Sequence, residues 1–289
     1  MIICGFGSKD YSKAAQRLYS QAAKLKVFRK IFVFTEFSQV FNFKDIKLYT
    51  NLSSKYPRGH GLWSWKPAII YEVMKSVPLN SVIFYIDAGC EISVFGKNRL
   101  INHIKNVSIH DSLFFWIPFK EFEWTQRSVL NEFRLRNNDS TSQIQATWFG
   151  LVNNKKWQAF VLAWKEKCLE RKLFFSDFNS SKSSSGLISH RDDQSILSCM
   201  LKHNNIGFIL PWEDHFLPEL YYENSWVLLA PVHTLRNRYG LSKINILIKK
   251  STYSNCINNR EKFNFLSIKL FLIKRFFKDL IICVIKPIL

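Results

Sequence analysis

The chain has 289 residues, 47% hydrophobic and 16% aromatic, with 41 Lys and Arg against 22 Asp and Glu for a net charge of +19. That is enough apolar mass for one large core or two unequal ones. Six scattered cysteines, Cys4, Cys90, Cys168, Cys199, Cys256 and Cys283, form no CxxC pair, which argues against a zinc site or a disulfide scaffold and suits a reducing cytoplasm. The opening "MIICGFGSKD" lacks the basic start and long apolar run of a signal peptide. No uncharged apolar stretch reaches the roughly 18 residues of a spanning helix.

In chain order, "MIICGF" reads as a short buried strand ending at Gly5 and Gly7. "SKDYSKAAQRLYSQAAKL" follows as a helix, with Ser8 or Asp10 as its cap. "KIFVFTEF" is a second buried strand. The loop "RGHGLWSWKP" (58–67) comes next, and "AIIYEVMKSV" reads as a helix with Pro67 near its start. "SVIFYIDAGCEI" is a third strand running into Asp87, and "SLFFWIPF" a fourth. "TQRSVLNEFRLR" and "KKWQAFVLAWKEKCLERKL" read as helices with a strand, "IQATWFGLVN", between them. "NSSKSSSG" (179–186) is a polar, low-complexity loop, and "SHRDDQSILSCMLKHN" is a loop entering a helix. Strands alternating with helices indicate an α/β domain with a mainly parallel sheet. Such sheets bind ligands beyond the carboxyl ends of their strands, where this sequence carries Gly5, Gly7, Ser8, Asp87 and Gly89.

Residues 240–289 carry ten cations and two acids, which leaves +11 for the other 239 residues. The tail "KFNFLSIKLFLIKRFFKDLIICVIKPIL" interleaves these cations with Phe, Leu and Ile. That mixture suits an anionic membrane surface better than nucleic acid, since long cations snorkel to headgroups while the apolar face enters the acyl boundary. A helix packed on the globular domain is the plainer reading.

Three segments carry candidate chemistry. Asp87 ends a buried strand and is followed by Ala88 and Gly89, so it either holds a ligand or metal ion or caps the next turn. In "HRDDQ" (190–194), two adjacent carboxylates repel unless a cation or helix N-terminus compensates, and a solvated cap is the alternative. In "RGHGLWSWKP", Arg58 and Lys66 can meet phosphate oxygens and Trp63 or Trp65 can stack on a base or sugar, or the loop is an apolar plug.

Taken in this order on an α/β frame, "RGHGLWSWKP", "YIDAGCEI" and "HRDDQSILS" resemble the motifs of bacterial glycosyltransferases of surface-polysaccharide assembly, O-antigen or capsule. "RLYSQAAKL", "EWTQR" (123–127) and "LPELYY" fit the same group, and the resemblance covers about residues 1–240. It implies a GT-A-like, Rossmann-type, mainly parallel sheet flanked by helices. About 1–120 would bind the donor, about 121–240 would supply the acceptor and catalytic half, and 241–289 would be a membrane-associating amphipathic tail. It further implies a nucleotide-sugar donor held by Gly7, Ser8, Arg17, Arg58, Trp65, Lys66, Asp87, Ala88, Gly89, His190, Arg191 and Gln194, with Asp193 as catalytic base and Asp192 second. A divalent cation, Mg or Mn, would sit on Asp87. The family's D-x-D motif is incomplete here, because Gly89 stands where its second Asp belongs, and Arg58 and Lys66 are the alternative means of neutralising the diphosphate. The acceptor would be a lipid-linked glycan, and the enzyme cytoplasmic and peripheral on the inner face of the plasma membrane. A non-catalytic sugar-nucleotide-binding partner and a basic nucleic-acid-binding protein are the competing classes. No recognisable nucleic-acid-binding motif is present.

Overall fold

The computed structural model describes residues 1–170, 186–213 and 230–243. Its first apolar runs form parallel neighbours, β1 (Ile2–Phe6) and β2 (Lys30–Phe34), joined by helix α1 (Ser12–Leu25). Helices α2 (Phe43–Lys55) and α3 (Trp65–Ser76) lead to β3 (Val82–Ile86), which pairs parallel to β1 on its other side. Then come β4 (Glu91–Ile92), α4 (Lys97–His110), β5 (Ser112–Lys120), β6 (Ser142–Ile144) and β7 (Trp148–Val152). Helices α5 (Lys155–Leu169) and α6 (Asp192–Asn204) precede β8 (Ile209–Pro211) and β9 (Val232–His233). The main sheet has the order β2-β1-β3-β7-β5-β6, with β8 paired to β5. Five of its seven strands share one direction, while β7 and β6 run against it. The sheet is mainly parallel and flanked by helices, as the alternation of elements implies.

Period two along the strands sorts side chains between the faces. Cys4, Phe6 and Tyr85 join Ile69, Val73, Trp157, Trp164 and Ile196 of α3, α5 and α6 in one core. Ile3, Phe84 and Ile86 join Leu18, Leu25, Leu100 and Val107 of α1 and α4 in the other. Trp148, Trp157 and Trp164 are fully buried. Each removes roughly 150–250 Å² from water, a gain on the order of 4 kcal/mol.

Several elements differ from the sequence reading. "IQATWFGLVN" is two strands, because the chain leaves the sheet at residues 145–147. "TQRSVLNEFRLR" forms a helix shorter than expected, Arg127–Glu132, ending before Arg134, which adopts a left-handed φ of 54°. The sequence reading contains neither α2 nor α4. Their apolar stripes are sparse, burying only Tyr49 and Ser53 in α2 and Leu100, His103 and Val107 in α4. Near its end the described chain forms a second, two-stranded sheet: β9 pairs antiparallel with β4. The tail beyond residue 243, "LPELYY" and all but the last residue of 179–186 lie outside the described residues. Among the described residues no helix is long and apolar enough to cross a membrane.

Candidate active site

Five consecutive residues, Gly59, His60, Gly61, Leu62 and Trp63, have φ between 54° and 96°. A left-handed turn costs about 1–2 kcal/mol for each residue with a Cβ, which explains the two glycines. A Cβ on Gly59 would lie 2.2 Å from the Trp63 ring. The turn is held from several sides. Ser64 Oγ donates to the Gly61 carbonyl at 2.7 Å, Ser53 Oγ to that of His60 at 3.0 Å, and Trp65 Nε1 to that of Gly59 at 3.0 Å. Trp65 is buried against Phe6, with ring centroids 4.6 Å apart. Arg58 therefore stands at one rim of the turn and Lys66 in the first turn of α3 at the other.

The Lys66 side chain is 3% exposed. Its Nζ lies 2.7 Å from Asp193 Oδ2 and 3.2 Å from Asp87 Oδ1, and donates to the Ala146 carbonyl at 3.1 Å. Burial opposes the charge, but the two carboxylates overrule it and hold the ammonium above its ordinary pKa. Asp87 follows β3, its backbone N–H bonded to the Thr147 carbonyl. Tyr85, two residues earlier on the same strand face, donates its hydroxyl to Asp87 Oδ1 at 2.6 Å. Asp87 remains 26% exposed at its side chain, the open carboxylate of the cluster.

At the start of α6, Asp192 adopts φ 43°, a left-handed conformation that Asp tolerates better than most residues. Neither aspartate caps the helix, because the N-cap is Arg191 and has no side-chain cap bond. Asp192 Oδ2 instead lies 2.9 Å from a half-exposed Arg58 nitrogen, and Asp193 faces Lys66. Burial pushes Asp192 up to about 7 against the pull of Arg58, and Asp193 up to about 6 against the pull of Lys66. Buried His190 is pushed down to about 3 by burial and by Arg58. Its Nδ1 accepts from the Gln126 backbone N–H at 3.3 Å, so the neutral ring carries its proton on Nε2, which has no partner among the described residues.

Segments 58–66, 87 and 190–193 thus converge beyond the carboxyl end of β3. Gly7 permits the approach of β1 to this corner, since a Cβ there would lie 2.7 Å from that of Ala88. Other residues expected on the donor have protein partners. Arg17 donates to the Ala88, Cys90 and Asn237 carbonyls. Trp65 is core. Gln194 accepts from the Ala146 N–H and donates to Gln143. Arg191 stacks over Trp124 and Phe119 at 4.2 and 4.6 Å. Gly89 accepts from the Asn237 N–H at 2.8 Å, and Ser8 is half-buried without a side-chain cap bond. Sequence reasoning missed Tyr85, although its two-residue spacing from Asp87 was the available signal. The Ala146 carbonyl carries no such signal.

A divalent ion held by the protein's own side chains between Asp87 and Asp193 does not fit this cluster. The space between Asp87 and Asp193 is held by the Lys66 ammonium, and no three His, Cys, Asp or Glu converge among the described residues.

No protein-family model and no curated protein matches the chain. Solved structures with a similar course include mouse xyloside xylosyltransferase 1, at 10% identity and a TM-score of 0.43, covering 81% of this chain and 97% of that one. A glycosyltransferase involved in glycosylating the major capsid of PBCV-1 matches at 8% identity and 0.43, covering 81% and 94%. The bifunctional glycosyltransferase WbbM matches at 10% identity and 0.46, covering 90% of this chain and 51% of that one. Similarity this distant does not bear on activity, which rests on the chain's own residues.

Proposed function

We propose that the chain is a glycosyltransferase that moves a sugar from a nucleoside-diphosphate donor to a lipid-linked glycan in bacterial surface-polysaccharide assembly, working as a peripheral protein on the inner face of the plasma membrane. The observation that carries this reading is the buried Lys66 ammonium between Asp87 and Asp193, with exposed Arg58 beside it. Glycosyl transfer breaks the bond from the anomeric carbon to phosphate oxygen. The sugar becomes oxocarbenium-like while the diphosphate gains negative charge. Fixed cations aimed at that charge are typically the largest catalytic contribution.

Arg58 is the cation free to turn toward the diphosphate, because its side chain is 54% exposed. Lys66 serves from behind by fixing the Asp87 carboxylate. The protonated Nε2 of His190 supplies a further hydrogen-bond donor for a donor oxygen. The acceptor hydroxyl forms the new bond to the anomeric carbon and gives its proton to a carboxylate. Asp193, expected first in that role, is committed to Lys66. Asp192 is better suited, since its cation is the mobile Arg58 and a pKa of about 7 matches a base working near neutrality.

The test is a screen of nucleotide sugars for hydrolysis or transfer by the purified protein, with Asp87→Asn beside it. At least one donor is expected to turn over. The variant is expected to lose about a hundredfold or more, the scale of a removed electrostatic contact in an active site, while melting close to wild type. No turnover of any donor, or equal turnover by Asp87→Asn, would overturn the reading.

A further inference from the structure

Helix α1 carries Lys13, Arg17 and Lys24 and no acid. Residues 236–243 cross it as a strap pinned from beneath. Glu91, fully buried, accepts from the Asn237 side chain at 2.7 Å, from the Lys243 backbone N–H at 2.8 Å and from the Ser242 hydroxyl. The Arg17 guanidinium donates to the carbonyls of Asn237 and Tyr239. With these polar groups engaged beneath it, the strap leaves Tyr239 and Leu241 68% and 76% exposed. A groove of about 470 Å³ between strap and helix is lined in part by Lys13, Lys24 and Leu241. It continues past Gln21, Lys24 and Ser242 into a hollow lined by Val94 and Phe95, which are 56% and 41% exposed. Neither lining contains an acid.

We propose that this face of the folded domain docks on an anionic lipid bilayer, with Tyr239, Leu241, Val94 and Phe95 entering the acyl boundary and Lys13 and Lys24 meeting headgroup phosphates. Exposed apolar side chains flanked by snorkelling cations fit that interface. A nucleic-acid backbone would use the cations and leave the leucine and valine in water. Two further facts point the same way. From residue 244 the sequence continues toward the basic, Phe- and Leu-rich tail, so the strap is the described segment that precedes it. The other end of the strap touches the segment that carries Asp87 through the Asn237 N–H bond to Gly89. The inference rests on the membrane-borne acceptor proposed above and extends contact with the membrane to the folded domain.

The experiment is co-sedimentation of the full chain with phosphatidylglycerol-containing vesicles and with pure phosphatidylcholine vesicles. Lys13→Glu/Lys24→Glu is compared with a control of equal charge change, Lys44→Glu/Lys155→Glu, at exposed positions on α2 and α5, which pack on the opposite core. The first pair is expected to lose about tenfold or more in affinity for anionic vesicles, as removal of surface-bound cations implies. The control should stay within about twofold, and Tyr239→Ser/Leu241→Ser should weaken the binding that survives high salt. Equal loss in both charge pairs would show that only total charge matters, and no loss in the first would show that the tail binds alone. Either result overturns the proposal. Donor turnover on a soluble acceptor, measured in the same variants, is expected to be unchanged. Absence of turnover even in wild type would sink the glycosyltransferase reading while leaving the docking result to stand or fall by itself.

Discussion

Lys66 shows how much one buried charge can organise. Its ammonium touches Asp87, Asp193 and the Ala146 carbonyl while only 3% exposed, so removing it leaves two carboxylates without their cation. Breaking a buried pair from one side costs about 3–5 kcal/mol. Lys66→Met is therefore expected to lose about that much in urea unfolding, and Lys66→Met/Asp193→Asn to lose less. A change under about 1 kcal/mol in the single variant would mean that the cluster is solvated. The neighbouring Asp192 predicts pH dependence. Its folded pKa of about 7 stands above the ordinary 3.8, so the native state keeps a proton that the unfolded chain has released between those values. Its contribution to stability therefore falls as pH rises through that window. Asp192→Asn, which preserves the tolerance for φ 43°, is expected to gain stability relative to wild type as pH rises from about 4 to 7, with no further gain above that. Turnover, needing the ionised base, is expected to rise with pH toward a plateau above about 7 in the wild type and to be lost in the variant. A rate that is flat across that range would remove Asp192 from the base role.

At the scale of elements, the loop 58–67 is a left-handed turn whose work is to set Arg58 and Lys66 on opposite rims. Gly59→Ala would drive a methyl group into the Trp63 ring and add a Cβ to a left-handed residue. It is expected to cost about 1–3 kcal/mol and, by displacing Arg58, to weaken nucleoside-diphosphate binding in calorimetry. Normal diphosphate affinity in a destabilised variant would separate the turn from the site. The glycines and the charge pair of this turn were legible in the sequence, because Gly-rich stretches rimmed by cations break local regularity. The partners of those charges were not legible. Trp65 and Trp63 look equivalent in sequence, yet Trp65 packs under Phe6 and Trp63 lies beside Arg58, 5.6 Å from its guanidinium. Strands β1, β2, β3, β5 and β7 were legible from their apolar runs, whereas β8 and β9 are too short to show one, and α2 and α4 were not legible because each buries too few apolar residues to print a helical period.

For the whole molecule, the charge of +19 divides between the folded part and a tail of mixed cations and aromatics. Deleting residues 262–289 is expected to reduce binding to anionic vesicles and to lower turnover on a lipid-linked acceptor more than on a short soluble one. Undiminished sedimentation with vesicles would assign the attachment to the folded domain alone. By itself the sequence determined what is local: the strand and helix periods of an α/β chain, the glycines of the left-handed turn, the Asp at the end of a strand and the charge of the tail. Each is a pattern of residue types a few positions apart, which backbone sterics and apolar burial impose directly. Only the tertiary structure decided that Lys66 answers to two carboxylates, that Arg17 holds carbonyls rather than a ligand, that Asp192 keeps an exposed cation as its partner and that Glu91 pins the strap over α1. Those pairings join residues up to 222 positions apart in sequence, and a side chain's partner at that distance depends on how the faces of the sheet pack, which no local spacing records.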